Sequence, residues 1–296
     1  MTQSSQQSSE SSFYLAYIVA LHCATALALM WFFRADWIRI IRGFFRSLPA
    51  SVRASLTERR LRLVVADKDE RLAWLIVLAT IPVGLTGVLL EHPFRVLFAK
   101  PIAAACLLFI NGLILLAAED MRRTAVRRAK EAAPDRIPAM AQAGQAPVAQ
   151  RRASGGRETT DVVAAERSDE RLARLSYAEG IIIGASQVLA LLAGISRSGI
   201  TMAGGLWRGL DHEDAARFAF LLATPVILAA GVLKVPSLFG SAGAHIHGQV
   251  ILGVIVCGIA AYLSVRFLIR WFETRTLTPF AVYCLIAGVA SIARFI

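Results

Sequence analysis

Long apolar blocks bounded by charge constrain this chain more than any other feature. They lie at about 13–33, 72–90, 101–118, 215–233, 250–270 and 277–296. A helix crosses a bilayer with about 20 consecutive, mainly apolar residues. Open backbone is not tolerated against lipid, so each block must close its own hydrogen bonds as a helix. The pattern predicts an all-α, polytopic membrane protein with six transmembrane helices. A hydrophobic share of 56% and a mean hydropathy of +0.57 agree with this and exclude an ordinary soluble domain.

The net charge of +11 invites a nucleic-acid reading, but the placement of the charge argues against it. Residues 34–71 hold ten Lys/Arg against five Asp/Glu, and residues 119–174 hold twelve against nine. Both stretches flank apolar blocks, as cytoplasmic loops do under the positive-inside rule. No nucleic-acid partner is expected. With the N-terminus outside, every basic cluster falls on the cytoplasmic face of a plasma (inner) membrane and the C-terminus is also outside. The polar start, MTQSSQQSSESS, has no basic n-region and does not read as a signal peptide. Cys23, Cys106, Cys257 and Cys284 lie in apolar sequence without metal-ligand spacing, which suggests small packing residues.

Four regions follow: a polar leader at 1–12, a first three-span half at 13–118, a linker at 119–174 and a second half at 175–296. The linker is charged, contains Pro134, Pro138 and Pro147, and has little aliphatic content, so it is expected to be disordered and cytoplasmic. Residues 36–48, DWIRIIRGFFRSL, place arginines among bulky apolar residues at helical spacing and predict an interfacial helix. Three spans per half give the halves opposite orientation, the geometry of a 3+3 inverted repeat.

The stretch that carries chemistry is 177–210, YAEGIIIGASQVLALLAGISRSGITMAGGLWRGL. Two apolar pieces, the second too short to span, are interrupted by GISRSG, which predicts one re-entrant helical hairpin. Gly194 suits a left-handed helix end, and Gly199 permits close backbone approach. Arg197 sits deep in apolar sequence, where a charge is rarely idle. Ser196, Ser198 and Thr201 surround it with hydroxyls. The helix that begins here aims free N–H groups and the positive end of its dipole at the turn. A guanidinium can grip a phosphate through two hydrogen bonds. The combination suits a phosphate or diphosphate; the competing reading is a purely structural turn. Gly204, Gly205 and Gly209 read as helix packing.

ALLAGISRSGITMAGGL, followed by DHEDAARFAFLLATPVILAAGVLK, resembles the second signature region of the undecaprenyl pyrophosphate phosphatase family. HCATALALMWFFR, ERLAWLIVLATIPVGLTGVLLE and LTPFAVYCLIAGV occur in the family's order, and the likeness covers about four-fifths of the chain. The resemblance implies hydrolysis of undecaprenyl diphosphate to the monophosphate, with a polyprenyl diphosphate lipid and the bilayer as partners, a possible homodimer, and Mg²⁺ or Ca²⁺ as cofactor. It implies that Arg197 clamps the diphosphate, with Ser196 and Thr201 as catalytic hydrogen-bonding partners. Ser198, Gly199 and Gln187 would complete substrate binding. The family's first hairpin, of the form EGxTEFLPxSSTGH, has no counterpart in this sequence, and Ala193 stands where the family has Pro. The missing hairpin is expected upstream of Met1, and it would carry the metal's glutamates; the chain itself supplies no metal ligands. The alternative is an inactive relative that binds or translocates lipid.

Other polar residues have plainer readings. His22 reads as a satisfied core histidine, Asn111 as a helix–helix contact and Glu179 as solvated. Asp211 suits a helix N-cap with Glu213 and Asp214 in the first turn, so His212 beside them is not counted as a metal ligand. His245 and His247 are two donors without a site.

Overall fold

The computed structural model describes residues 3–58, 65–90, 101–132, 167–234 and 247–295. Among the described residues the regular structure is helical. The helices are α1 (Gln3–Phe32), α2 (Arg34–Glu58), α3 (Lys68–Leu89), α4 (Pro101–Ala132), α5 (Tyr177–Ser186), α6 (Arg197–Trp207), α7 (His212–Lys234), α8 (His247–Phe272) and α9 (Thr278–Phe295). A five-residue 3₁₀ turn, Gln187–Leu191, prolongs α5.

Five helices (α3, α4, α7, α8 and α9) are long and apolar enough to cross a membrane, and α1 with α2 forms a sixth candidate broken by an 88° bend. The chain is therefore a multi-pass membrane protein. α1 already begins at Gln3, so the helix runs into the polar leader. The expected interfacial segment 36–48 lies within the longer α2, which leaves α1 almost at a right angle.

α7 runs through the centre: 61% of its apolar window is buried, against 6% for α8 on the periphery. Phe218, Leu221 and Leu222 of α7 meet Leu72 and Leu75 of α3, Leu115 of α4 and Ile183 of α5 in one core. α4 packs along α9, and α1 along α7 and α8. Gly112 and Gly288 permit the first of these contacts: a Cβ on Gly288 would lie 2.8 Å from the Phe109 nitrogen.

The linker is shorter at both ends than its composition suggests. Residues 119–132 continue α4, where Arg123–Glu119 (3.0 Å) and Arg127–Glu131 (3.7 Å) bridge successive turns. Residues 167–173 are helical and bury Leu172 and Asp169. Residues 133–166 lie outside the described residues, as do the loops 91–100 and 235–246 with His245, and the side chain of His247.

The hairpin is inserted into the first half of the chain. α5 follows α3 in the same direction: Gly180 meets Leu75, Gly184 the Ala79 carbonyl, and Leu191 approaches Gly87. α6 follows α4: Gly194 lies against Ala104 and Leu108, Gly199 near Leu115, and Leu210 accepts from Arg122. The turn between the arms is thus level with the far ends of α3 and α4, and the hairpin's own ends are level with the opposite face. α5 and its 3₁₀ extension rise about 25 Å, most of the hydrocarbon thickness of about 30 Å.

Candidate functional site

Each arm of the hairpin has a defined start. Ser176 caps α5 in a capping box: its hydroxyl accepts from the Glu179 N–H, and the Glu179 carboxylate accepts from the Ser176 N–H (2.8 Å). Glu179 is therefore a cap and not merely a solvated acid. At the tip the chain reverses through Gly194, whose φ of +101° favours glycine. Ser196 then caps α6, accepting from the Gly199 N–H at 3.2 Å.

This arrangement gathers Ser196, Arg197, Ser198 and Gly199 at the start of α6. Ser196 Oγ and Ser198 Oγ are 3.5 Å apart. Arg197, the first residue of the helix, is half-buried, and its Nη1 is fully enclosed without a hydrogen-bond partner among the described residues. Gln187, at the head of the 3₁₀ turn, is completely buried, and both its Oε1 and its Nε2 lack partners. A buried polar group without a partner costs about 1–3 kcal/mol, and more when it is charged. Thr201 differs: it is buried, and its hydroxyl donates to the Arg197 carbonyl at 2.7 Å, so it shapes the first turn of α6. Among the described residues no hydrogen bond joins Gln187 to Arg197.

Two residues that sequence reasoning undervalued hold the tip. Asn111, fully buried in α4, accepts from the Ser196 N–H (3.3 Å) through Oδ1 and donates to Cys284 Sγ (3.3 Å) through Nδ2. Its helix–helix role is real, and the same amide anchors the cap of α6. A lone amide in an apolar span was the available signal. Ser186 Oγ lies 2.6 Å from the Ile183 carbonyl and 3.3 Å from that of Ile200, so it fastens the two arms together. Gly204 and Gly205 do pack closely, against Ser186 and Ala215, whereas Gly209 is a turn glycine with φ +88° and no near neighbour for a Cβ.

The opposite end of the molecule carries a buried ionic network. Asp36 and Asp169 share Arg39 (2.6 Å to each) and Arg217 (3.0 and 2.8 Å). Asp214 takes both an Arg171 fork and the Ser168 hydroxyl (2.6 Å), and hydrogen bonding to Asp214 holds the Arg171 guanidinium above its ordinary pKa. Asp211 Oδ1 accepts from the Asp214 N–H, the expected N-cap. His212 lies between Arg122 (2.9 Å from Nδ1) and Glu119 (2.7 Å from Nε2). Near it Glu119, Arg122, Arg127, Glu273 and Arg275 line a cavity of 610 Å³.

His22 is not a core residue: it faces outward on α1, with Nδ1 2.8 Å from the Ile18 carbonyl. Cys106 is likewise exposed, while Cys284 is buried as expected. The described residues do not present a ligand set suited to a divalent cation. No group of three or more His, Cys, Asp or Glu is placed to hold a metal among the described residues. The hairpin tip offers hydroxyls, an amide and a guanidinium, where Mg²⁺ and Ca²⁺ favour carboxylates.

Membrane-length helices around a broken hairpin, with a guanidinium nitrogen enclosed at a helix start, define a polytopic membrane protein. The chain belongs to the family described as bacitracin resistance protein BacA, whose model matches residues 2–290. It is 54% identical to undecaprenyl-diphosphatase 2 of Frankia alni, over all of this chain and 86% of that protein. It is also 54% identical to undecaprenyl-diphosphatase of Mycolicibacterium paratuberculosis, over 94% of this chain and 80% of the relative. Undecaprenyl-diphosphatase 2 of Burkholderia ambifaria is 36% identical, over 95% and 81%.

Proposed function

We propose that this protein hydrolyses undecaprenyl diphosphate to undecaprenyl phosphate and inorganic phosphate. Water adds its oxygen to the terminal phosphorus while the anhydride P–O bond breaks, and the lipid monophosphate leaves. The observation that carries the reading is Arg197: a guanidinium with a buried, unpartnered nitrogen at the start of α6. Family membership and the names of the relatives support the substrate.

Arg197 grips the diphosphate and neutralises charge that builds on it as the bond breaks. The first free N–H groups of α6 and its dipole favour the same anion. Ser196 and Ser198 offer hydroxyl donors at the rim, and Gln187 a buried amide below them. Thr201 keeps the Arg197 turn in shape. The setting is the inner membrane, with the basic segments in the cytoplasm and both termini outside. That orientation brings the hairpin tip toward the outer leaflet.

The test is phosphate release from undecaprenyl diphosphate by the purified chain in detergent, beside Arg197→Ala. Release by the native chain that falls about 10²–10³-fold in the variant is the expected result. Equal release by both removes Arg197 from the mechanism. Retention of the lipid without release by either overturns the hydrolase reading.

A further inference from the structure

The geometry of α2 points to a second lipid site: we propose that its outward edge binds the headgroups of anionic phospholipids, separately from the substrate at the hairpin. One face of α2 is fixed to the protein. Gly43 lies against the Asp69–Glu70 backbone, where a Cβ would come within 3.0 Å. Trp74 donates to Ser47 Oγ at 3.0 Å and stacks on Phe44, and Arg46 pairs with Asp67 and Glu70. Asp36, the one acid among the described side chains of α2, is buried in the ionic network.

The other face is exposed among the described residues. Ile38, Ile41, Phe45, Val52 and Leu56 form one stripe at helical spacing, with Phe45 64% and Leu56 75% exposed. Leu27 and Trp31 of α1 and Ile81 and Leu85 of α3 are exposed as well. Along its edge stand Arg42 and Arg53, about three turns apart and therefore on one side. Both are exposed and have no ion-pair partner among the described residues. Arg34, stacked on Trp31 at the bend, adds a third positive charge.

The 88° bend lays this helix parallel to the bilayer plane if α1 crosses it, so the stripe enters the acyl boundary while the arginines meet phosphates. A second copy of the chain would bring arginine against arginine. Anionic headgroups complement the charge, and each arginine near such a surface contributes about a fivefold gain in affinity.

Native mass spectrometry of the full chain in neutral detergent, titrated with phosphatidylglycerol or phosphatidylcholine, tests this. The native chain should prefer phosphatidylglycerol, and Arg42→Gln/Arg53→Gln should weaken that lipid about 25-fold while leaving phosphatidylcholine unchanged. Arg42→Lys/Arg53→Lys should stay within about twofold of native, because charge is what matters. If the glutamine pair lowers helix content, Arg42→Gln beside Arg42→Lys gives the same comparison. No lipid preference in the native chain, or an undiminished preference in the glutamine pair, overturns the proposal. So does a native dimer that the glutamine pair dissolves, since a second copy would then cover the stripe.

Discussion

The two ends of the hairpin treat buried charge in opposite ways. At its base Asp36, Asp169, Arg39 and Arg217 match charge for charge, and Asp214 is satisfied by Arg171 and Ser168. At its tip Arg197 and Gln187 have buried polar atoms with neither hydrogen bond nor ion pair among the described residues. The first arrangement stabilises a fold; the second leaves a cost, among the described residues, that a bound anion would offset. The difference separates arginines paired within the fold from one left open to a ligand under the proposed reading.

The sharpest way to break the contrast is Arg217→Leu, which leaves two buried carboxylates with Arg39 alone. It should lower stability by about 3–5 kcal/mol, read as a fall in the thermal unfolding midpoint in detergent. A midpoint equal to the native chain's would mean that the network is not structural. Arg197→Ala should do the reverse: about 10²–10³-fold less phosphate release, with the midpoint unchanged or raised. A clear loss of stability in that variant would place Arg197 among the structural charges.

Two smaller tests sharpen the comparison. Gly184→Ala drives a methyl into the Ala79 carbonyl and should cost about 1–3 kcal/mol, since the contact is backbone and cannot swing aside. An unaffected unfolding midpoint would show that α5 is not held so closely. The smallest effect is a pH dependence at Asp67. Burial pushes its carboxyl up, but the Glu70 N–H and the Arg46 guanidinium outweigh this, and the net shift is below the ordinary 3.8. The folded state thus binds this proton less tightly than the unfolded chain. Its stabilisation is present above about pH 4 and is lost as pH falls through the folded pKa. Lowering the pH from 5 to 3 should destabilise the native chain more than Asp67→Asn; parallel curves would remove Asp67 from the account.

The spans were legible because apolar length is a one-dimensional property. The hairpin was legible because GISRSG interrupts apolar sequence where a charge has little other reason to stand. The ionic network was not, because Asp169 was assigned to a charged linker and Arg217 to a family motif, and pairing across 48 residues leaves no local trace. The linker's ends misled for a related reason: composition undervalues helices held by a few contacts, such as Leu172 in the core. The outward placement of His22 escaped notice because the apolar sequence of α1 has no weak face to tell lipid from protein. Asn111 was noticed, but its bond to Ser196 depends on how the hairpin lies along α4.

The close glycine contacts along α5 also bear on the order of assembly. α6 has 11 residues, too few to be stabilised across a bilayer by lipid alone. The apolar surface of α5 finds its partner in α3, and that of α6 in α4 and in the later α7; α3 and α4 are synthesised before either arm. Cysteines placed at Gly87 and Leu191, where a Cβ meets no backbone, should therefore crosslink only in nascent chains long enough to release residue 207; crosslinking before that point would contradict this order. The hairpin then enters between α3 and α4, walls already standing, and α7 closes on it afterwards.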